Sequence, residues 1–182
     1  LPIFPGGNRA VVRADAPTAL RNVLSEQPTA RPVWRGSPAA TVLEGAAVAV
    51  VSGTTTEKWL AARRSALQIN AEFVPVPDYR TGLQRLLDRK ADVFFGERTV
   101  VLGALGTMES SARENLVILD RRFTHEPIAL ALPRGDDDFR LLVDRALSQL
   151  YASEEFVQLY TKWCGEFDAG TRAFFLWNTP AE

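Results

Sequence analysis

The sequence has little of what most catalytic and metal sites are built from. Its 182 residues contain one cysteine, Cys164, and one histidine, His125. A single cysteine excludes an intramolecular disulfide and a cysteine-rich metal site, and a single histidine argues against a histidine-based one. No serine–histidine–aspartate arrangement, nucleotide-binding loop or paired-carboxylate spacing stands out either. We therefore expect no catalytic residue, no metal and no cofactor.

Strong net charge and long hydrophobic runs are also absent. The net charge is −1, so no global field favours nucleic acid or an anionic membrane as a partner. No apolar run approaches the roughly 20 residues of a membrane span. No signal peptide is visible, which fits a mature secreted protein as well as a cytosolic one. The apolar content of 46% suffices for the core of one domain or two small lobes.

Apolar runs alternate with amphipathic segments from Ala46 onward. Helices are expected over 57–70, after Asp78 and over 97–105. Strands and extended runs are expected over 47–51, 72–76, 91–95, 115–119 and 127–132. This alternation predicts an α/β fold with a mostly parallel sheet and right-handed crossovers.

The two ends of the chain are less regular. Residues 1–8 are predicted to be loop, a short helix follows Asp15, and residues 31–38 are predicted to be an extended connector. A terminal helix is expected to turn one apolar face inward, and this face consists of Phe156, Leu159, Tyr160 and Trp163. The apolar tail Phe174–Trp177 needs a surface to dock on.

The segment from Val48 to Glu57 carries the first binding signal. A buried strand ends in Ser52, Gly53, Thr54 and Thr55, and a helix follows at once. Free N–H groups and hydroxyls at a helix N-terminus can hold a carboxylate. Thr54 and Glu57 also match a capping box, so the same residues are explained by helix capping alone. The two interpretations are compatible, because one side chain can cap while its neighbour binds.

The second binding signal is Glu97, which comes just after the strand predicted over 91–95. Ligands of open α/β sheets sit outside the carboxyl ends of the strands. A carboxylate there can accept hydrogen bonds from an ammonium group, although an acidic residue in the first turn of a helix is explained equally well by the helix dipole. An anion-binding turn and a carboxylate at one sheet edge predict a site for an amino-acid zwitterion.

These segments together resemble the periplasmic solute-binding proteins (family 3) of polar amino-acid ABC transporters. Residues 43–57 resemble the opening of their second lobe, and residues 91–97 resemble the strand whose final acid meets the ligand's ammonium. Residues 124–136 resemble the return crossing between lobes, and residues 143–151 and 160–165 resemble the terminal helices. The similarity is greatest to the glutamate/aspartate-binding branch.

The resemblance implies a type II periplasmic binding protein-like fold and a non-enzymatic, periplasmic protein in its mature form. Its implied partners are a glutamate- or aspartate-like amino acid and an ABC permease. The implied ligand-binding residues are Ser52, Gly53, Thr54, Thr55 and Glu97. Residues 1–42 would be a remnant or atypical first lobe, 43–123 a complete second lobe, and 124–182 the return crossing and C-terminal helices of the first lobe.

The short segment before Leu43 departs from the family pattern. The family's clamping arginine belongs to that region, where Arg9, Arg13, Arg31 and Arg35 are available but none lies in a matching motif. A reduced first lobe would leave the apolar faces of the terminal helices uncovered, which predicts a homodimer, with exchange of the C-terminal segment as one route to it. An incomplete first lobe, without the clamping arginine, also predicts weakened or lost amino-acid binding. Two other functions stay open, a sensory or interaction module and a dehydratase that uses Glu97 as general acid or base.

Overall fold

The computed structural model describes residues 1–25 and 37–179 of the chain. Their contacts group into two units. The sheet unit consists of the described residues of Gly7–Thr124, and the helical unit consists of Leu1–Gly6 together with the described part of His125–Glu182. The chain therefore passes between the two units twice.

Both units are built from short, regular elements. The strands in the described residues are β1 (Pro2–Gly6), β2 (Asn8–Arg13), β3 (Ala47–Val51), β4 (Glu72–Val76), β5 (Val93–Glu97), β6 (Leu116–Ile118) and β7 (Glu126–Ala129). The helices are α1 (Thr18–Ser25), α2 (Pro38–Leu43), α3 (Thr55–Leu67), α4 (Tyr79–Leu87), α5 (Arg98–Gly106), α6 (Ser110–Glu114), α7 (Asp137–Ala152), α8 (Glu154–Cys164) and α9 (Ala169–Asn178).

The sheet unit contains a five-stranded sheet in the order β4-β3-β5-β2-β6. Strands β4, β3 and β5 are parallel neighbours, and β2 runs antiparallel to both β5 and β6. Four of the five strands therefore point the same way. The predicted α/β fold with a mostly parallel sheet flanked by helices is confirmed.

Helices cover both faces of this sheet. Successive side chains of a strand point to opposite faces, so each strand contributes residues to both packed surfaces. One face packs against α1 and α3 through a cluster that includes Ala10, Val12, Val48, Val50, Leu60, Val93 and Phe95. The other face packs against α4 and α5 through a cluster that includes Val11, Ala49, Leu83, Leu86, Phe94 and Val101. The sheet unit thus has a hydrophobic core on each side.

The helical unit has a different construction. Its strands β1 and β7 form a two-stranded antiparallel sheet. Its core is one cluster of aromatic side chains on α8 and α9, formed by Phe156, Tyr160, Phe174 and Phe175. Among the described residues, no helix combines the length and the apolar character that a membrane span requires.

The structure corrects the predicted loop over residues 1–8. Pro2–Gly6 is a strand, and Asn8 already belongs to β2. The prolines and glycines there suggested a loop, but extended backbone accommodates proline, and the glycines serve close approach. A Cβ atom on Gly6 would lie 2.4 Å from the carbonyl oxygen of Glu126, and one on Gly7 would lie 2.3 Å from that of Thr124.

Two further sequence-based expectations have other outcomes. Leu159 and Trp163, expected to face inward with Phe156 and Tyr160, are 46% and 68% exposed. Helical spacing predicts which residues share a face, but it does not tell how much of that face is covered. The extended connector predicted over 31–38 lies mostly outside the described residues.

The contact-based units divide the chain differently from the predicted lobes. The first unit boundary follows Gly6, so β2 and α1 belong with residues 43–123 in the sheet unit. The second unit boundary follows Thr124. The assignment of residues 1–42 to a reduced first lobe stays a prediction.

Candidate functional site

The predicted site residues follow two strands that lie side by side. β3 and β5 are hydrogen-bonded parallel neighbours in the register Val48 to Val93 and Val50 to Phe95. Continuing that register brings Ser52 level with Glu97, at the roughly 4.8 Å spacing of paired strands. The structure thus places the turn after β3 and the end of β5 at the same edge of the sheet.

The turn after β3 is a capped helix N-terminus. Thr54 is the N-cap of α3, and its Oγ1 accepts a hydrogen bond from the Glu57 N–H at 3.2 Å and donates one to the Val51 carbonyl at 2.7 Å. Gly53 has a φ of +77°, which favours glycine. The predicted capping of α3 by Thr54 is confirmed, whereas Glu57 bonds the Gly53 N–H and not the Thr54 N–H that a capping box requires.

An anion already lies at this turn, because the Gly53 N–H donates to Oε2 of Glu57 at 2.7 Å. The Ser52 N–H donates to the Val76 carbonyl at 3.0 Å, and Thr55 is the exposed first residue of α3. The Glu57 carboxylate therefore accepts the hydrogen bond of the Gly53 N–H, one of the amides that were expected to bind a ligand carboxylate.

Glu97 is the N-cap of α5, and its two carboxylate oxygens differ. Oε2 accepts hydrogen bonds from the Thr99 N–H at 2.8 Å, the Val100 N–H at 3.1 Å and the Thr99 hydroxyl. Oε1 is buried and accepts no hydrogen bond from any residue in the described ranges 1–25 and 37–179. A buried acceptor without a donor costs about 1–3 kcal/mol, and more when it is charged. One oxygen thus caps the helix, and the other has no donor among the described residues.

Acidic side chains meet several helix N-termini at this edge. Asp78, which follows β4, caps α4 with a 2.7 Å hydrogen bond from the Thr81 N–H. That backbone hydrogen bond lowers the pKa of the Asp78 carboxyl below its usual value. Glu57 in the first turn of α3 and Glu97 at the end of β5 add two further carboxylates to this edge.

Two buried polar residues beside Glu97 were missed in the sequence. Asn8 pairs with Glu97 across β2 and β5, and its Oδ1 accepts a 2.7 Å hydrogen bond from the Thr56 hydroxyl. Asn8 is 1% exposed and Thr56 is 4% exposed. Residue spacing offers no signal for Asn8, because both faces of β2 are buried and Asn8 is recognised only through its pairing with Glu97.

The candidate arginines have separate placements. Arg9 is buried on β2 opposite Gly96. Arg13 lies at the other end of β2, where its Nη1 donates to the carbonyls of Leu86 and Ala91 at 3.2 and 2.9 Å. Arg31 and Arg35 lie outside the described residues. Arg13 therefore fastens the edge opposite to the one that carries Glu97.

The remaining reactive side chains lie in the helical unit. The His125 ring packs edge-on against Phe174 with centroids 6.0 Å apart, and Cys164 is a partly buried free thiol. Within the ranges that the structure describes, no three His, Cys, Asp or Glu residues are grouped so that they could hold a metal ion.

Known proteins similar to this chain include amino-acid-binding proteins, although no family model matches it. The L-glutamate/L-aspartate-binding protein of Pseudomonas aeruginosa is 24% identical over 121 residues, which are 66% of this chain and 39% of that protein. The GluR0 ligand-binding core from Nostoc punctiforme, solved in complex with L-glutamate, is 21% identical. Its TM-score is 0.57, and the alignment covers 91% of this chain and 64% of that one.

A third similar structure is an ABC transporter periplasmic binding protein from Brucella ovis with glutathione bound. It is 17% identical with a TM-score of 0.59, and the alignment covers 100% of this chain and 51% of that one. The chain thus spans less than two thirds of each of these three proteins. The chain has the periplasmic binding protein fold over the part it shares with these structures, and the predicted resemblance to amino-acid solute-binding proteins of ABC transporters is confirmed.

Proposed function

We propose that this chain is an extracytoplasmic binding protein for a polar amino acid, of the glutamate or aspartate type, in an ABC transport system. The observation that supports this most strongly is the buried Oε1 of Glu97. It lies at the sheet edge that also carries the N-terminus of α3. A positive and a negative binding point at one edge suit the two charges of an amino acid.

Each half of the zwitterion has its own partner in this proposal. The ligand ammonium donates to Oε1 of Glu97 while Oε2 keeps capping α5. The ligand carboxylate takes the place of Glu57 at the Gly53 N–H and is held by the dipole of α3 and the hydroxyl of Thr55, while the Thr54 hydroxyl keeps donating to the Val51 carbonyl. The Glu57 contact supports this assignment, since the amide already binds a carboxylate oxygen.

A binding role also fits the surroundings of Glu97 better than a dehydratase role. The hydrogen bonds to its carboxylate come from the Thr99 and Val100 amides and the Thr99 hydroxyl. General acid–base catalysis requires a proton to be passed on, and these groups do not titrate near neutral pH. A sensory or interaction module would use the same ligand site but a different downstream partner.

The proposed location and permease partner rest on the similar proteins. One is described as an ABC transporter periplasmic binding protein and another as a binding protein for glutamate and aspartate. Binding proteins of this kind respond to a ligand by favouring the closed state that its contacts stabilise. We extend that role to this chain as an extracytoplasmic protein that delivers its ligand to a permease.

We also propose that a second copy covers the apolar surface of the helical unit. Leu142, Trp163, Leu176 and Trp177 expose between 64% and 87% of their surface. Isolated apolar residues are normal on a surface, but a set of large ones in one unit is typical of an interaction site. Sedimentation across micromolar concentrations should show a dimer, and monomers throughout that range would refute this part of the proposal.

Calorimetry tests the proposed function. The chain is titrated with glutamate, aspartate, glutamine and arginine, and we expect saturable binding of at least one. Glu97→Gln, which keeps an oxygen to cap α5, should weaken that binding at least about tenfold, since the charge-assisted hydrogen bond to the ammonium is lost.

Glu72→Gln is the matched control, because Glu72 is an exposed acid at the start of β4, at the opposite edge of the same sheet. This variant should bind like the unaltered chain. The absence of heat with all four amino acids, or equal affinity in Glu97→Gln, would contradict the proposal.

A further inference from the structure

We infer that Asn8 is a positioning residue of this site, which holds the N-terminal turn of α3 in place beside Glu97. The inference rests on the proposed function, because it assigns Asn8 a part in the same ligand site. Asn8 does not need to touch the ligand in this role. It acts through Thr56, on the first turn of α3, and through its position next to Glu97 in the sheet.

The sheet register places Asn8 and Glu97 side by side. They are paired residues of the antiparallel strands β2 and β5. Directly paired residues have Cβ atoms about 4.5–5.5 Å apart on the same face. Asn8 alternates with Ala10 and Val12, and these belong to the cluster on the α3 face of the sheet. The Asn8 side chain therefore points towards α3, which carries the proposed carboxylate-binding turn, and Glu97, which caps α5, lies on the same face of the sheet.

Thr56 completes the connection from the helix side. Its hydroxyl donates to Oδ1 of Asn8 at 2.7 Å, and both residues are almost fully buried. A buried hydrogen bond has no water to compete for its partners, so it defines a distance more strictly than an exposed one. Thr56 directly follows Thr55, so this bond fixes the turn that would meet the ligand.

The backbone of Asn8 is itself fastened at both polar groups. Its N–H donates to Oγ1 of Thr124 at 2.9 Å, and its carbonyl accepts from the Phe123 N–H at 3.0 Å. Thr124 is the last residue of the sheet unit, and Asn8 is the second residue of that unit. Asn8 thus joins the segment before the second unit boundary, strand β5 and helix α3.

A purely structural buried amide is the competing explanation, and the two make different predictions. A purely structural amide stabilises the fold but does not set the distance between the two groups that bind the ligand. A positioning residue sets the separation between the α3 turn and Glu97, so its loss should affect a ligand that is held at both points. A ligand held only at the turn should be affected much less.

The test compares glutamate with glutarate, which lacks the ammonium group, in calorimetry on Asn8→Ala and Thr56→Val. We expect both substitutions to weaken glutamate binding about tenfold and to leave glutarate affinity nearly unchanged. A tenfold loss is the lower end of what outer-shell partners contribute at metal sites. Thr56→Ser, which keeps the hydroxyl, should restore glutamate binding. Thr56→Val keeps the side-chain volume and serves if Asn8→Ala does not fold.

Asp92→Ala is the matched control. Asp92 Oδ2 accepts a hydrogen bond from the Ala47 N–H at 2.9 Å and ties the starts of β3 and β5 together, at the other edge of the sheet. It should leave glutamate affinity unchanged. Equal losses for glutamate and glutarate in Asn8→Ala, or an equal loss of glutamate binding in Asp92→Ala, would overturn the inference.

Amide hydrogen exchange without any ligand separates this inference from the proposed function. Asn8→Ala should speed exchange at the first amides of α3 by at least about tenfold, and Asp92→Ala should not, since α3 is anchored at its first turn by Thr56. Unchanged exchange at α3 in Asn8→Ala would refute the positioning role. If the unaltered chain binds no amino acid while α3 exchange rises as expected, the proposed function fails and the anchoring by Asn8 stands.

Discussion

The sheet unit and the helical unit differ in how completely they cover their apolar residues. The sheet unit has helices on both faces of five strands, and residues such as Val11, Leu83 and Phe94 are fully buried. In the helical unit, α7 contains no buried residue over its whole length, and Trp177 is 87% exposed. A sheet with helices on both faces buries its own apolar side chains. The three helices and two-stranded sheet of the helical unit leave apolar side chains exposed, where another partner can cover them.

The largest expected contrast comes from removing one aromatic ring in each unit. Phe94→Ala empties a fully buried position of the sheet unit and should lower the free energy of unfolding by about 3–5 kcal/mol. Trp163→Ala removes a larger ring that is 68% exposed and should change it by no more than about 0.5 kcal/mol. Urea unfolding measures both. A comparable loss in the two variants would show that the helical unit is packed as completely as the sheet unit.

A substitution of glycine probes the tightness of the sheet unit's second core. A Cβ atom on Gly82 of α4 would lie 2.3 Å from the Phe94 ring, so Gly82→Ala should destabilise by about 1–3 kcal/mol. Gly103 of α5 is the matched control, because a Cβ there meets nothing within 4 Å. Gly103→Ala should stabilise by up to about 1 kcal/mol through helix propensity. Thermal unfolding measures both variants. A change in stability of the same sign in Gly82→Ala and Gly103→Ala would contradict close packing at Gly82.

The helical unit should respond to alkaline pH through Tyr151. Burial, with a smaller contribution from the Asp144 carboxylate, raises the pKa of the Tyr151 phenol to about 12 from a usual 10.0. The folded state holds this proton more tightly, so its stabilising contribution is complete below pH 10 and is lost as the pH rises towards 12. Tyr151→Phe should remove this part of the pH dependence, as measured by unfolding at several pH values. An unchanged pH profile in the variant would contradict it.

The smallest expected effect on stability comes from the exposed apolar surface. Leu142→Gln together with Trp177→Gln should change the free energy of unfolding by less than about 0.5 kcal/mol per residue, because neither side chain is buried. The same pair should weaken self-association in sedimentation. A large loss of stability within monomers would mean that these side chains support the helical unit itself.

Local sequence patterns predicted the strands and helices of the sheet unit from β3 to α5, because these segments have clear apolar periodicity and capping residues, but they did not predict β2. β3 and β4 lie at the predicted residues, since apolar runs rich in β-branched residues end there at turns. Thr54 and Asp78 cap their helices as expected from residue type and spacing. Both halves of the candidate site, the Gly53 turn and Glu97, also follow from local sequence.

Long-range pairing explains what the sequence did not reveal. β1 was missed because its partner β7 lies about 120 residues away, as in the pairing of Gly6 with Glu126, and its prolines and glycines suggested a loop. Asn8 was missed for the same reason, since its burial depends on pairing with Glu97 and on a contact with Thr56. The occupation of the Gly53 amide by Glu57 depends on a side-chain rotamer, which residue spacing alone does not specify.

The role of Glu97 as the partner of a ligand ammonium can be measured most directly with glutamate and glutarate. The two ligands differ only in the ammonium group, so the ratio of their dissociation constants isolates its contribution. We expect the unaltered chain to prefer glutamate by at least about tenfold and Glu97→Gln to lose most of that preference while binding glutarate as before. A preference for glutamate that survives in Glu97→Gln would contradict the assignment of this carboxylate to the amino-acid site.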